Sequence, residues 1–276
     1  MSFERLILTI KLFRLPSVFA MNLFIFLPLA IATGKPAFSI FQTLPFALMI
    51  AGEIALNDCC DIKKDKISKP QRPLVSGILK LSYAKIMTGI VILCATILGI
   101  YIYQSNMSGM LIFFMVTIIL SLYNVKLSFI PLIKTFMTAF ATVLSLSFVF
   151  TFIDISKGVY WFLMAAFMFI LGREFMMDIR DIQGDKKENY NTLAVVLGKQ
   201  KTTIVSLAFI VCSDIFCVLY IIVHFSILKI ILLTMILVFE FYCCSHFIKS
   251  SNSEQQNKYI LLLWIPMILM LFITAF

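Results

Sequence analysis

Charge is scarce in this chain. Only 13% of its 276 residues are Asp, Glu, Lys or Arg, 61% are hydrophobic, and the mean hydropathy is +1.01. Ordinary soluble domains carry roughly 25% charged residues, so a water-soluble fold is excluded. A nucleic-acid binder goes with it, because its basic residues would line a soluble face. The net charge of +9 is read as loop charge meeting anionic lipid head groups. Histidine is nearly absent: His224 and His246 stand far apart, with no Cys or His at metal-ligand spacing. That excludes a zinc site and leaves both as helix-end residues. The seven cysteines form no disulfide framework, since Cys94, Cys212 and Cys217 lie inside apolar runs and Cys59-Cys60 and Cys243-Cys244 are adjacent pairs. All are read as reduced. No A-x-A-like cleavage site follows the first hydrophobic stretch, so it is not read as a signal peptide.

What is abundant is apolar sequence. Residues 2–14 place Leu6, Ile7, Ile10 and Phe13 on one side, with Arg5, Lys11 and Arg14 elsewhere, which suits an amphipathic helix lying on a membrane. Crossing roughly 30 Å of hydrocarbon at 1.5 Å per residue takes about 20 residues of helix. Nine stretches meet that length, near 15–34, 38–57, 83–103, 108–125, 130–152, 158–177, 202–224, 226–248 and 258–276. A cytoplasmic N-terminus puts the connections at 58–82, 126–134, 178–201 and 249–257 inside. Every Lys and Arg except Lys35, Lys157 and Lys229 then falls on or beside inner segments, as the positive-inside rule requires. The expected fold is an all-α integral membrane protein in one domain, with nine transmembrane helices and long cytoplasmic loops after helices 2 and 6.

Those two loops carry the same acidic pattern. The first reads NDCCDIKKD at 57–65 and the second DIRDIQGD at 178–185, so Asp58/Asp61/Asp65 and Asp178/Asp181/Asp185 share spacings of three and four. Positions i, i+3 and i+7 of a helix fall within an arc of roughly 60°, which would aim three carboxylates in one direction. Acid runs are commonly solvated helix ends balanced by lysines. Two runs of identical spacing on one membrane face weigh against that reading. They point to two related halves facing each other across a central cavity. Magnesium takes carboxylate oxygens and shares its octahedron with water and substrate phosphate, so two such clusters suit Mg²⁺ ions that clamp one diphosphate. Basic residues flank both: Lys63, Lys64, Lys66, Lys69 and Arg72 follow the first, and Arg173, Arg180, Lys186 and Lys187 surround the second. Arg donates in a fork to phosphate, so Arg72 and Arg173 are preferred as diphosphate ligands.

The segments NDCCDIKKDKISKPQRPLVSG at 57–77 and REFMMDIRDIQGDKKENYNTLAVVLG at 173–198 resemble the two signature loops of the UbiA superfamily of intramembrane prenyltransferases. Asn57, Asp58, Asp61, Asp65, Arg72, Pro73, Ser76 and Gly77 fit the first signature. Asp178, Asp181, Gly184, Asp185, Thr192, Leu193 and Gly198 fit the second. The resemblance implies nine helices, Mg²⁺ held by the six aspartates, Asn57 as a further diphosphate contact, and transfer of a polyprenyl group from an allylic diphosphate. A Tyr and a Lys after the fourth helix are usually four apart in the family, whereas Tyr123 and Lys126 are three apart. Lys126 is read as a diphosphate contact and Tyr123 as either functional or an interfacial aromatic.

The acceptor implied is an aromatic ring or a glycerol-phosphate lipid, and the two segments look most like the branch that makes archaeal-type ether lipids. Arg14 is read as an interfacial anchor, with contact to an acidic acceptor as the alternative. The 28 Phe and 15 Met suit cavity walls that exclude water from an allylic cation. Two rivals stand beside the transferase: a terpene cyclase of the same superfamily, and a divalent-cation transporter, which would want acids near the bilayer midplane. The setting implied is a bacterial or archaeal plasma membrane, with no nucleic-acid partner.

Overall fold

A computed structural model describes residues 3–62, 66, 72–124, 131–153, 158–187, 190–250 and 252–275. Among them secondary structure is helical throughout: α1 (Phe3–Leu12), α2 (Leu15–Thr33), α3 (Pro36–Cys60), α4 (Leu81–Tyr103), α5 (Met107–Leu122), α6 (Pro131–Ser147) with a 3₁₀ turn (Phe148–Thr151), α7 (Val159–Lys187), α8 (Leu193–Val223), α9 (Ile227–Lys249), α10 (Ser253–Leu262) and α11 (Trp264–Ala275). Of these α2, α3, α4, α8 and α9 are long and apolar enough to cross a membrane. The chain divides into two compact units: residues 1–128 with 151–153, and residues 129–150 with 154–276.

Local chemistry sets the helix ends. The α2–α3 junction is a Gly-Lys-Pro turn: Gly34 takes φ 63° and its N–H closes on the Ala30 carbonyl, while Pro36 opens α3. Gly past an end and Pro at a start are where each costs least. Asn106 and Asn252 cap α5 and α10 by accepting from Gly109 N and Glu254 N, each at 2.9 Å. The stretch expected as one span at 258–276 is broken at Leu263. Pro266 lacks an N–H and its ring crowds the carbonyl four residues back, that of Leu262. The second acidic stretch, expected in a loop, is instead the end of a helix: α7 runs on through Asp178, Asp181 and Asp185 to Lys187.

In the first unit α3 packs against α2, α4 and α5. Phe46, Tyr103 and Phe113 meet with ring centroids 5.2–6.3 Å apart, and the Tyr103 hydroxyl donates to the Gln42 carbonyl. A second cluster joins Leu12, Phe13, Ala55, Leu74, Leu79 and Ala84. It ties the α1–α2 junction and the Arg72–Gly77 turn to the motif end of α3.

In the second unit the closest pair is α7 with α8. The Ser206 hydroxyl donates to the Gly172 carbonyl at 2.6 Å. A β-carbon on Gly172 would stand 2.8 Å from the Ser206 carbonyl oxygen, so glycine is what lets these backbones touch. Two mid-span acids that the motifs did not flag, Asp214 on α8 and Glu240 on α9, face each other. Among the described residues, Asp214 Oδ1 and both Glu240 oxygens find no donor outside the pair.

Candidate active site

In the first unit the site is built at the C-terminal end of α3. Asp58 is 3% exposed, and two guanidinia reach the same oxygen: Arg14 Nη2 donates to Asp58 Oδ1, and Arg72 Nη1 donates to it at 3.0 Å. Two guanidinia on one carboxylate gather forked donors of the kind that suit the oxygens of an anion. Asp61 ends the helix, its backbone N–H on the Asn57 carbonyl at 2.9 Å. Asp65 and Lys126 lie outside the described residues.

Local sequence explains how each arginine arrives. Arg14 sits between α1 and α2 with φ 45° and ψ 53°, a left-handed conformation that costs a non-glycine residue roughly 1–2 kcal/mol. Arg72 opens a compact turn in which Ser76 N reaches the Arg72 carbonyl at 2.9 Å, Ser76 Oγ donates to the Pro73 carbonyl, and Gly77 takes φ 75°. The R-P-L-x-S-G segment is therefore a device that turns the chain back and presents an arginine to Asp58.

Asn57 donates from Nδ2 to Asn124 Oδ1 at 3.1 Å. Asn124, one residue beyond Tyr123, donates in turn to the Glu53 carbonyl oxygen at 3.0 Å and to Glu53 Oε2 at 2.8 Å. Sequence reasoning missed Glu53 and Asn124. A lone acid inside an apolar helix and an asparagine in the Tyr-to-Lys interval carry no spacing signal. A cavity of about 310 Å³ lined by Ala32, Thr33, Lys35, Phe38, Phe152 and Ile153 lies at the opposite end of α3, roughly 35 Å away at 1.5 Å per residue. It is separate from this site.

In the second unit Asp178 and Asp185 are buried, while Asp181 is partly exposed. Arg180 forks onto Asp181, Nε to Oδ1 and Nη2 to Oδ2 at 2.7 Å each, and its Nη1 donates to Asn257 Oδ1 at 2.6 Å. Burial works against the Arg180 charge. The Asp181 hydrogen bonds, with the charges of Asp181, Glu174 and Asp185, outweigh that and hold its pKa above the ordinary value. Arg173 is held differently: its guanidinium lies 4.0 Å over the Trp264 ring, Nε donates to the Ile260 carbonyl at 3.4 Å, and Nη1 meets Glu174 at 3.4 Å.

Among the described residues, no three His, Cys, Asp or Glu side chains converge into a metal cage. The donor set is hard carboxylate oxygen in open arrangement. That fits Mg²⁺, which is usually bound through one or two carboxylates and completed by water and phosphate.

A profile of the UbiA prenyltransferase family matches residues 19–270. The digeranylgeranylglyceryl phosphate synthase of Methanobrevibacter smithii is 30% identical over 220 residues, covering 77% of each chain. That of Sulfolobus acidocaldarius is 31% identical over 205 residues, covering 71% of this chain and 72% of its own. A solved digeranylgeranylglyceryl phosphate synthase structure aligns with a TM-score of 0.75 at 26% identity, covering 99% of this chain and 98% of the other. A UbiA homologue from Archaeoglobus fulgidus bound to GPP and Mg²⁺ aligns with a TM-score of 0.71 at 15% identity, covering 98% and 100%, a likeness of fold. The apolar spans, the two signatures and these matches agree: the chain belongs to the UbiA prenyltransferase family and is a multi-pass membrane prenyltransferase.

Proposed function

We propose that this enzyme transfers a polyprenyl group from an allylic diphosphate to the hydroxyl of a glycerol-phosphate lipid, with Mg²⁺ and release of pyrophosphate, on the cytoplasmic side of the membrane. The observation that carries the reading is the pairing of Arg14 and Arg72 with one oxygen of Asp58. A motif carboxylate is thereby set among donors suited to phosphate oxygens. The lipid acceptor is favoured over an aromatic ring because the relatives at 30% and 31% identity are digeranylgeranylglyceryl phosphate synthases.

In this proposal Asp58, Asp61 and Asp65 serve one Mg²⁺ site and Asp178, Asp181 and Asp185 another. Bound there, the ions supply Lewis-acid neutralisation of the departing pyrophosphate. Arg72, Asn57 and Lys126 bind the diphosphate, and Arg14 stands where an acidic acceptor group would pair with it. For Arg173 to bind diphosphate it must leave the Trp264 face and the Ile260 carbonyl, so Arg72 is the stronger candidate. Tyr123 is assigned to the site edge. The allylic C–O bond breaks, the electron pair leaves with pyrophosphate, the acceptor oxygen bonds to the allylic carbon, and its proton passes to water or a carboxylate. Apolar helices around the prenyl chain keep water from the cation.

The test is purified enzyme with Mg²⁺, allylic diphosphates of several lengths and a panel of acceptors, following pyrophosphate and product mass. Asp58→Ala and Asp178→Ala are expected to abolish turnover while inserting normally. Full Mg²⁺-dependent activity in either would overturn the assignment. Cyclic product without acceptor would favour the terpene cyclase. A transporter has no support beside an enzyme family.

A further inference from the structure

Asn57 stands beside Asp58 at the start of the first motif, and an asparagine side chain offers an oxygen at one end and two N–H donors at the other. We infer that Asn124, clamped by Glu53, is a positioning residue that fixes which end of the Asn57 amide faces the site; the inference rests on the functional reading above. Asn124 and Glu53 are each 4% exposed, so neither can exchange these partners for water.

The polarity follows from counting donors. The Glu53 carbonyl can only accept, and it takes Asn124 Nδ2 at 3.0 Å; Oε2 takes the same nitrogen at 2.8 Å, and Oε1 pairs with the Ser121 hydroxyl. Both Asn124 amide hydrogens are thus committed to residue 53. The Asn124 oxygen is what remains, and it accepts from Asn57 Nδ2 at 3.1 Å. Reversing the Asn57 amide would set its oxygen against the Asn124 oxygen. Asn57 is therefore locked with its nitrogen toward Asn124 and its oxygen turned out of the network, an end that would meet a diphosphate through a bound metal ion rather than by donating to it. Glu53 lies one helical turn before Asn57, Ser121 lies on the last turn of α5 and Asn124 two residues past its end, so the network also joins the motif to the segment that carries Tyr123.

Removing one member alone leaves a buried polar group unsatisfied, whereas replacing both partners by apolar groups of similar shape can be nearly neutral. The variant to make is therefore the double replacement Glu53→Met with Asn124→Leu, alongside Asn124→Ala. Purified full-length protein is titrated with Mn²⁺ in the presence of inorganic pyrophosphate, read by electron paramagnetic resonance, and its thermal midpoint is measured without metal. Outer-shell partners of a metal site typically contribute 10–100-fold to affinity or activity. The double variant is expected to keep its thermal midpoint and to bind Mn²⁺ about tenfold more weakly. On an Asn57→Ala background the same replacement is expected to cost nothing further, because Asn124 acts through Asn57. Unchanged Mn²⁺ affinity in the double variant, or losses that add to those of Asn57→Ala, would overturn the inference. If wild-type protein neither binds Mn²⁺ with pyrophosphate nor turns over an allylic diphosphate, it is the functional reading that fails.

Discussion

Gly172 offers the sharpest test of how the second unit is held together. A methyl group there would lie 2.8 Å from the Ser206 carbonyl oxygen and 2.7 Å from Ile210 Cγ1, whereas ordinary contact begins at 3.4 Å. The oxygen is backbone and cannot rotate away, so α7 and α8 must part by roughly 0.6 Å. A gap of 0.5–1 Å forfeits a quarter to a half of the dispersion energy of each contact it opens. Overpacking of this kind costs about 1–3 kcal/mol, and the Ser206 hydrogen bond to the Gly172 carbonyl is stretched as well. Gly184, on the same helix, has nothing within 4 Å of its would-be β-carbon, so Gly184→Ala should gain up to about 1 kcal/mol of helix propensity. Gly52→Ala should lose stability as well, because the clashing atom, Ile92 Cγ1 at 2.5 Å, belongs to a β-branched side chain that is stiff at χ1 in a helix. Thermal unfolding of the three variants in one nanodisc composition gives the ranking. Asp178 lies less than two turns beyond Gly172, so turnover should fall with stability in Gly172→Ala. If Gly172→Ala unfolds at the temperature of Gly184→Ala, the backbone-to-backbone reading of the seam is wrong.

Arg72→Lys keeps the charge but loses the fork that reaches Asp58, so KM for the allylic diphosphate should rise about tenfold with a smaller change in kcat; steady-state kinetics check this, and an unchanged KM would remove Arg72 from diphosphate binding. Glu240→Gln keeps a hydrogen-bond donor against Asp214 while removing one of two facing carboxyls, and should raise the thermal midpoint by the equivalent of about 1 kcal/mol while leaving turnover unchanged. A lower midpoint would mean the pair is satisfied in another way.

Much of the architecture could be read from hydropathy alone, because apolar runs of about 20 residues have few folds open to them. The acidic motifs stood out through their repeated spacing, but the second was placed in a loop where α7 runs on as helix. Pairings distant in sequence were not legible. Arg14 and Asp58 are 44 residues apart, and no periodicity links a residue before the first span to one at the end of the second. Arg173 carried a charge and a place beside the motif, which suggested phosphate; its stacking on Trp264 comes from the packing of α10 and α11 on α7, a pairing distant in sequence. Glu53 and Asn124 stayed hidden because one polar residue in an apolar helix reads the same whether it meets a partner or a head group.

Arginine occupies a backbone conformation at position 14 that glycine would adopt without strain. Such a junction fixes the angular setting of everything upstream. Each helical residue turns the chain by about 100°, so adding or deleting one residue between Phe13 and Pro16 would swing the guanidinium to another side, away from Asp58. The N-terminal helix is thus indexed to the acidic site like a key cut to one notch, and tolerance to length changes should end sharply at that point of the chain.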